Sequence, residues 1–106
     1  MLFVGIDLGT SGCRALAIDS DGQIHAEART TLPAPVRQGP SVKQDVTLWW
    51  DGVCKMLEQL LPQIDRSEVK SLAVDGTSGT LLLSGQNGTP LCPALMYNDA
   101  RSVVEA

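Results

Sequence analysis

Residues 4–12 read Val4-Gly5-Ile6-Asp7-Leu8-Gly9-Thr10-Ser11-Gly12, and the rest of the chain is interpreted outward from them. The apolar run Leu2 to Ile6, ending at Asp7 and Leu8, predicts a buried strand over residues 2–8. Gly9 to Gly12 is too short and too glycine-rich for anything but a tight turn. It is not a P-loop, because no Gly-Lys-Ser/Thr follows, and G-x-G-x-x-G is absent. Its chemistry still suits an anion. Two glycines let successive backbone N–H groups converge, and Thr10 and Ser11 add hydroxyl donors. Asp7, at the strand end, can reach a Mg²⁺ ion shared with phosphate oxygens. The same residues also describe an ordinary hairpin turn with a capping acid.

On the C-terminal side, residues 13–19 predict a second strand. Cys13, Ala15 and Ala17 share one face, and Arg14, Leu16 and Ile18 the other. Ser20-Asp21-Gly22 turns the chain. Residues 23–32 alternate, with Ile24, Ala26 and Ala28 facing inward and His25, Glu27 and Arg29 outward. His25 therefore reads as a solvated side chain. Three strands with short turns make an antiparallel meander. Pro33, Pro35, Gly39 and Pro40 mark a connecting loop. Asp45 is the expected N-cap of a helix over 46–61, with Trp49, Val53, Met56, Leu57, Leu60 and Leu61 as its buried stripe. Pro62 marks its end. Trp49 and Trp50 are adjacent, so one is expected in the core and the other at the surface.

Residues 71–75 predict another strand ending in an acid, followed by the turn Gly76-Thr77-Ser78-Gly79. Asp75 is expected to cap that turn. A strand over 80–84, a hairpin at Asn87-Gly88 and a short strand over 95–97 follow. Asn98 or Asp99 is placed to cap a helix starting near Ala100. The sequence stops at Ala106, about two turns into that helix, which is the expected mark of a truncated chain.

Composition narrows the classes. With 106 residues, 43% hydrophobic and 19% charged, one small globular domain is expected. The net charge of −4 leaves no electrostatic footprint for nucleic acid or an anionic membrane. No apolar run is long enough to span a bilayer, and no signal peptide is visible. Cys13, Cys54 and Cys92 are widely spaced and odd in number, and are expected as buried, reduced thiols of a cytoplasmic protein.

The segment from Val4 to Ile18 resembles the first phosphate-binding motif of the actin-like ATPase superfamily, which includes sugar kinases, chaperone ATPases and actin. Three further segments resemble the FGGY carbohydrate kinases. Lys43-Gln44-Asp45 followed by Trp49-Trp50 is similar to their E-Q-D-P-x-x-W-W segment. Asp75-Gly-Thr-Ser-Gly-Thr80 lies where they place a sugar-contacting loop. Tyr97-Asn98-Asp99-Ala100-Arg101 is similar to their W-N-D-x-R motif.

The resemblance runs in order over nearly the whole chain. It implies a ribonuclease H-like α/β half-lobe (the meander plus a helix and further strands), the first part of the N-terminal lobe of a two-lobed enzyme. Such an enzyme transfers the γ-phosphoryl group of ATP to a sugar hydroxyl, with Mg²⁺. Carried over by position, Asp7 is the metal-linked acid, and Gly9, Thr10, Ser11 and Gly12 cradle phosphate. Thr77 and Ser78 contact the sugar, and Asn98, Asp99 and Arg101 lie near its pocket. Many members carry Gln, His, Arg or Glu in the sugar loop, whereas Gly76 to Gly79 are small here. A ketopentose such as ribulose or xylulose is the first expectation. The catalytic base, an Asp, lies later in the family's chains, so this chain alone is expected to be inactive and to self-associate through bare apolar faces. The competing expectation is a free-standing nucleotide-binding or assembly module of actin or chaperone type.

Overall fold

The first three strands form the expected meander because their small and apolar residues alternate around short turns. A computed structural model describes residues 1–105. β1 (Leu2–Leu8), β2 (Gly12–Asp19) and β3 (Ile24–Thr31) pair antiparallel in succession. The chain then forms β4 (Val36–Gln38), β5 (Ser41–Gln44), α1 (Thr47–Leu60) and β6 (Val69–Gly76), and ends its regular structure in β7 (Ala94–Leu95). β6 returns beside β1 and runs parallel to it, giving a four-stranded sheet in the order β3-β2-β1-β6. β4, β5 and β7 form a separate antiparallel sheet.

The core lies on one face of the larger sheet. Leu2, Val4, Ile6, Cys13, Ala15, Ala17, Ala26 and Ala28 are buried there. The short side chains of β2 and β3 make a low floor on which α1 lies close. A Cβ at Gly52 would sit 2.6 Å from Leu32 Cδ2 and 3.6 Å from Cys13 Sγ. Met56 and Leu60 are fully buried against this floor, each contributing about 1.5–3 kcal/mol. Of the expected stripe, Val53 and Leu57 pack at its margin, and Gly52 joins it. The helix gives way at Leu61 to a 3₁₀ turn containing Pro62, as its fixed φ and missing N–H require.

Several expectations are corrected. The loop expected over 33–40 contains β4, because Gly39 at φ +60° folds Val36–Gln38 back onto β5. Asp45 lies one residue before the helix N-cap, Val46, and its Oδ1 accepts from Thr47 N and Oγ1 instead. A slip in the β2–β3 register after Ala17 leaves Ile24 59% exposed rather than inward-facing. No strand forms over 80–84; only isolated bridges join Leu81 to Leu95 and Ser84 to Pro90. Residues 101–105 form turns rather than a helix, with i→i−3 bonds from Val103 and Glu105, and Ala106 lies outside the described residues. The three thiols are free, but only Cys13 is buried; Cys54 is half-buried and Cys92 exposed.

Candidate phosphate and sugar site

The parallel pairing of β1 with β6 brings the two glycine–threonine turns together. Both strands end at the same edge, with Leu8 opposite Gly76. The first turn, Gly9 to Gly12, therefore stands beside the second, Gly76 to Gly79. Between them is a narrow cleft of ≈ 130 Å³, bordered by Gly9, Thr10, Thr77 and Thr80 and walled by Gln44, Trp49 and Met96. Thr80 Oγ1 is buried and has no hydrogen-bond partner among the described residues.

The first turn is tied down by its carbonyls. Gly9 N donates to Gly12 O at 2.8 Å, and Leu32 N donates to Ser11 O at 2.9 Å. Gln44 Nε2 reaches Thr10 O at 3.3 Å. The N–H groups of Thr10 and Ser11 have no partner among the described residues. Gly12 is required by close approach, since a Cβ there would lie 2.7 Å from Thr30 O.

Charge is arranged in a row across the sheet face opposite α1. The register pairs Arg29 with Arg14, Arg14 with Asp7, and Asp7 with Asp75, one residue on each of the four strands. Glu27 joins the basic end, at 3.0 Å from Arg29 Nη2 and 3.9 Å from Arg14 Nε. Asp7, Gly9, Ser11, Gly12, Arg14 and Arg29 border one open hollow of ≈ 400 Å³ beside the turn. Asp75 faces Asp7 and makes no side-chain hydrogen bond to its own turn among the described residues, so it does not cap it.

The other expected residues sit further off. Asp99 and Arg101 border a separate open hollow with Gly79 and Tyr97. Asp99 Oδ2 accepts from Val42 N at 2.8 Å, and its Oδ1 accepts from Arg101 Nε at 3.0 Å. The Arg101 guanidinium first, and the Val42 N–H second, hold the Asp99 carboxyl down to about 2. Asp99 thus clamps the last segment to β5. Ser78 and Asn98 border none of these hollows. His25 is exposed as expected, but pairs with Asp19 at 2.7 Å. That contact and the Gln23 N–H hold the Asp19 carboxyl below its ordinary value.

Sequence reasoning missed Arg14, Gln44 and Trp49 as parts of the site. For Arg14 the signal was present: a strand of known register after a four-residue turn places it opposite Asp7. Gln44 and Trp49 come to the cleft through β5 and α1, which sequence spacing does not locate.

The larger sheet is mixed, and its neighbouring parallel strands β1 and β6 both run into glycine–threonine turns. The chain belongs to the FGGY family of carbohydrate kinases: the model of that family's N-terminal domain matches residues 2–106. It is 29% identical over 104 residues to the xylulose kinase of Staphylococcus epidermidis, covering 96% of this chain and 21% of that protein. It is 29% identical over 102 residues to the apulose kinase of Pectobacterium atrosepticum, covering 95% and 21%. The structure superposes on a xyloylose kinase from Brucella ovis with a TM-score of 0.91 at 28% identity, over 100% of this chain and 23% of that one. The chain thus spans about a fifth of the length of the curated relatives it matches.

Proposed function

We propose that this chain is the first part of the N-terminal lobe of a kinase that transfers the γ-phosphoryl group of ATP to a hydroxyl of a ketopentose. The observation that carries the reading is the juxtaposition of the two turns at the ends of parallel-paired strands, one with free N–H groups and one with small hydroxyl residues. The family and the xylulose and apulose kinases among its relatives support the same substrate class.

The residues fit ATP phosphates and Mg²⁺. No group of three or more metal-ligating side chains exists among the described residues. Mg²⁺ is commonly held by one or two carboxylates together with substrate phosphates, which matches Asp7 with Asp75 beside it. The metal would supply charge neutralisation on the β- and γ-phosphates when bound. Thr10, Ser11 and the backbone of Gly9 and Gly12 would hold the phosphate by hydrogen bonds, and Arg14 would add a fixed positive charge. Thr77 and Ser78 would orient the sugar, and the small side chains of Gly76 to Gly79 would leave it room. Asp99, held by Val42 N and Arg101, would brace the segment that follows the sugar turn rather than touch the sugar. The base that accepts the hydroxyl proton would come from the rest of the polypeptide, so the isolated chain would not turn over.

The test is sugar-dependent ADP release by the full-length protein with Mg²⁺ and ATP, over a panel containing xylulose, ribulose, apulose and glycerol. Turnover of a ketopentose well above glycerol supports the reading. No sugar-dependent release with any acceptor overturns it.

A further inference from the structure

Gln44 is the buried polar residue of the described chain, only 2% exposed. It sits on β5, yet its amide joins three other segments. Nε2 donates to Pro33 O at 2.9 Å and to Thr10 O at 3.3 Å, and Oε1 accepts from Trp49 Nε1 at 2.8 Å. Only this orientation of the amide serves all three partners. The reverse would set an oxygen against two carbonyls and an NH₂ group against the indole N–H. A glutamate would have the same fault on its carbonyl side.

The contact with Thr10 has a directional consequence. In a planar trans peptide the C=O and the next N–H point opposite ways, and no cis peptide occurs among the described residues. Drawing the Thr10 carbonyl toward Gln44 therefore aims the Ser11 N–H away from it. Without that bond, the Thr10 carbonyl can rotate and set a negative dipole where an anion would bind.

We propose that Gln44 is a positioning residue for phosphoryl transfer: its buried amide, braced by Trp49, sets the orientation of the Gly9–Gly12 turn that receives the nucleotide phosphates. The inference rests on the kinase reading above. Its effect on the phosphates runs through the Thr10–Ser11 peptide.

The experiment uses the full-length protein with Gln44→Met, Gln44→Glu, Trp49→Phe and, as a packing control, Met56→Ala. Steady-state kinetics are measured with ATP varied and with ketopentose varied, alongside calorimetric binding of Mg·ADP and the melting temperature. Gln44→Met is expected to raise KM for ATP and Kd for Mg·ADP about tenfold, the scale of losing one or two hydrogen bonds. KM for the sugar should stay within about twofold. Gln44→Glu should be worse, and Trp49→Phe should move ATP in the same direction by a smaller factor. Met56→Ala should lower the melting temperature without this split. A folded Gln44→Met protein with ATP and ADP constants within about twofold of wild type overturns the inference, as does an equal change in Met56→Ala. If Gln44→Met does not fold, an unchanged KM for ATP in Trp49→Phe overturns it. A wild-type protein without kinase activity refutes the function instead, and Mg·ADP binding then still decides the role of Gln44.

Discussion

Two single residues show how tightly the site is specified. At Gly12 a methyl group would sit 2.7 Å from a backbone oxygen, Thr30 O, that the β2–β3 ladder holds in place. Backbone cannot step aside as a side-chain end does. Gly12→Ala is expected to cost about 1–3 kcal/mol in urea unfolding and to weaken Mg·ADP binding. Unchanged stability would show that the turn yields. Asp99 makes a pH prediction. Its carboxyl lies at about 2 in the folded chain against an ordinary 3.8, so its stabilisation is fully present above pH ~3.8 and is lost as pH falls through about 2. Asp99→Asn should therefore melt lower than wild type at pH 5, and the difference should shrink toward pH 2. A difference that stays constant with pH would mean that the charge is not involved.

At the scale of elements, α1 owes its place to the alanines beneath it. Cys13, Ala15, Ala17, Ala26 and Ala28 leave the space that Met56 and Leu60 fill. Met56→Ala should cost about 2–5 kcal/mol in urea unfolding, because the flat floor cannot rise into the hole. A cost well under that range would show that the helix settles onto the sheet. Trp50 is 68% exposed on the helix surface, whereas Trp49 turns inward to Gln44. The adjacent indoles thus separate as helical geometry demands.

For the whole molecule, the radius of gyration is 16.2 Å, above the ~13 Å of a compact domain this long. The excess follows from an elongated shape, 50 Å along its longest axis and 27 × 23 Å across. Leu72 and Val74 on β6 continue the face of Val4 and Ile6, but are 51% and 61% exposed, since α1 lies over β2 and β3. β6 is also an unpaired sheet edge. The isolated chain is expected to form dimers or larger species in sedimentation velocity, and Leu72→Lys with Val74→Lys to reduce them. Monomer alone at high concentration would contradict this.

Local chemistry made much of this legible in sequence. A short apolar run specified β1, alternation of small and apolar residues specified β2 and β3, and helical spacing with Pro62 specified α1 to within a residue or two. Glycine and hydroxyl residues after Asp7 and Asp75 marked both turns. What sequence missed was decided by contacts between distant segments. β4 is exposed throughout and β5 is only four residues long, with Val42 and the polar Gln44 as its buried positions; β7 and Asp99 give β5 its partners. The leucines at 81–83 read as a strand, but only Leu81 reaches Leu95 in a bridge. A side chain's neighbours within a strand or a helix follow from period, and the turn holding Thr10 and Ser11 follows from its glycines. Whether Asp7 meets Asp75, and whether Gln44 meets Thr10, depends on a parallel return of β6 and on where β5 docks, and only tertiary packing decides those.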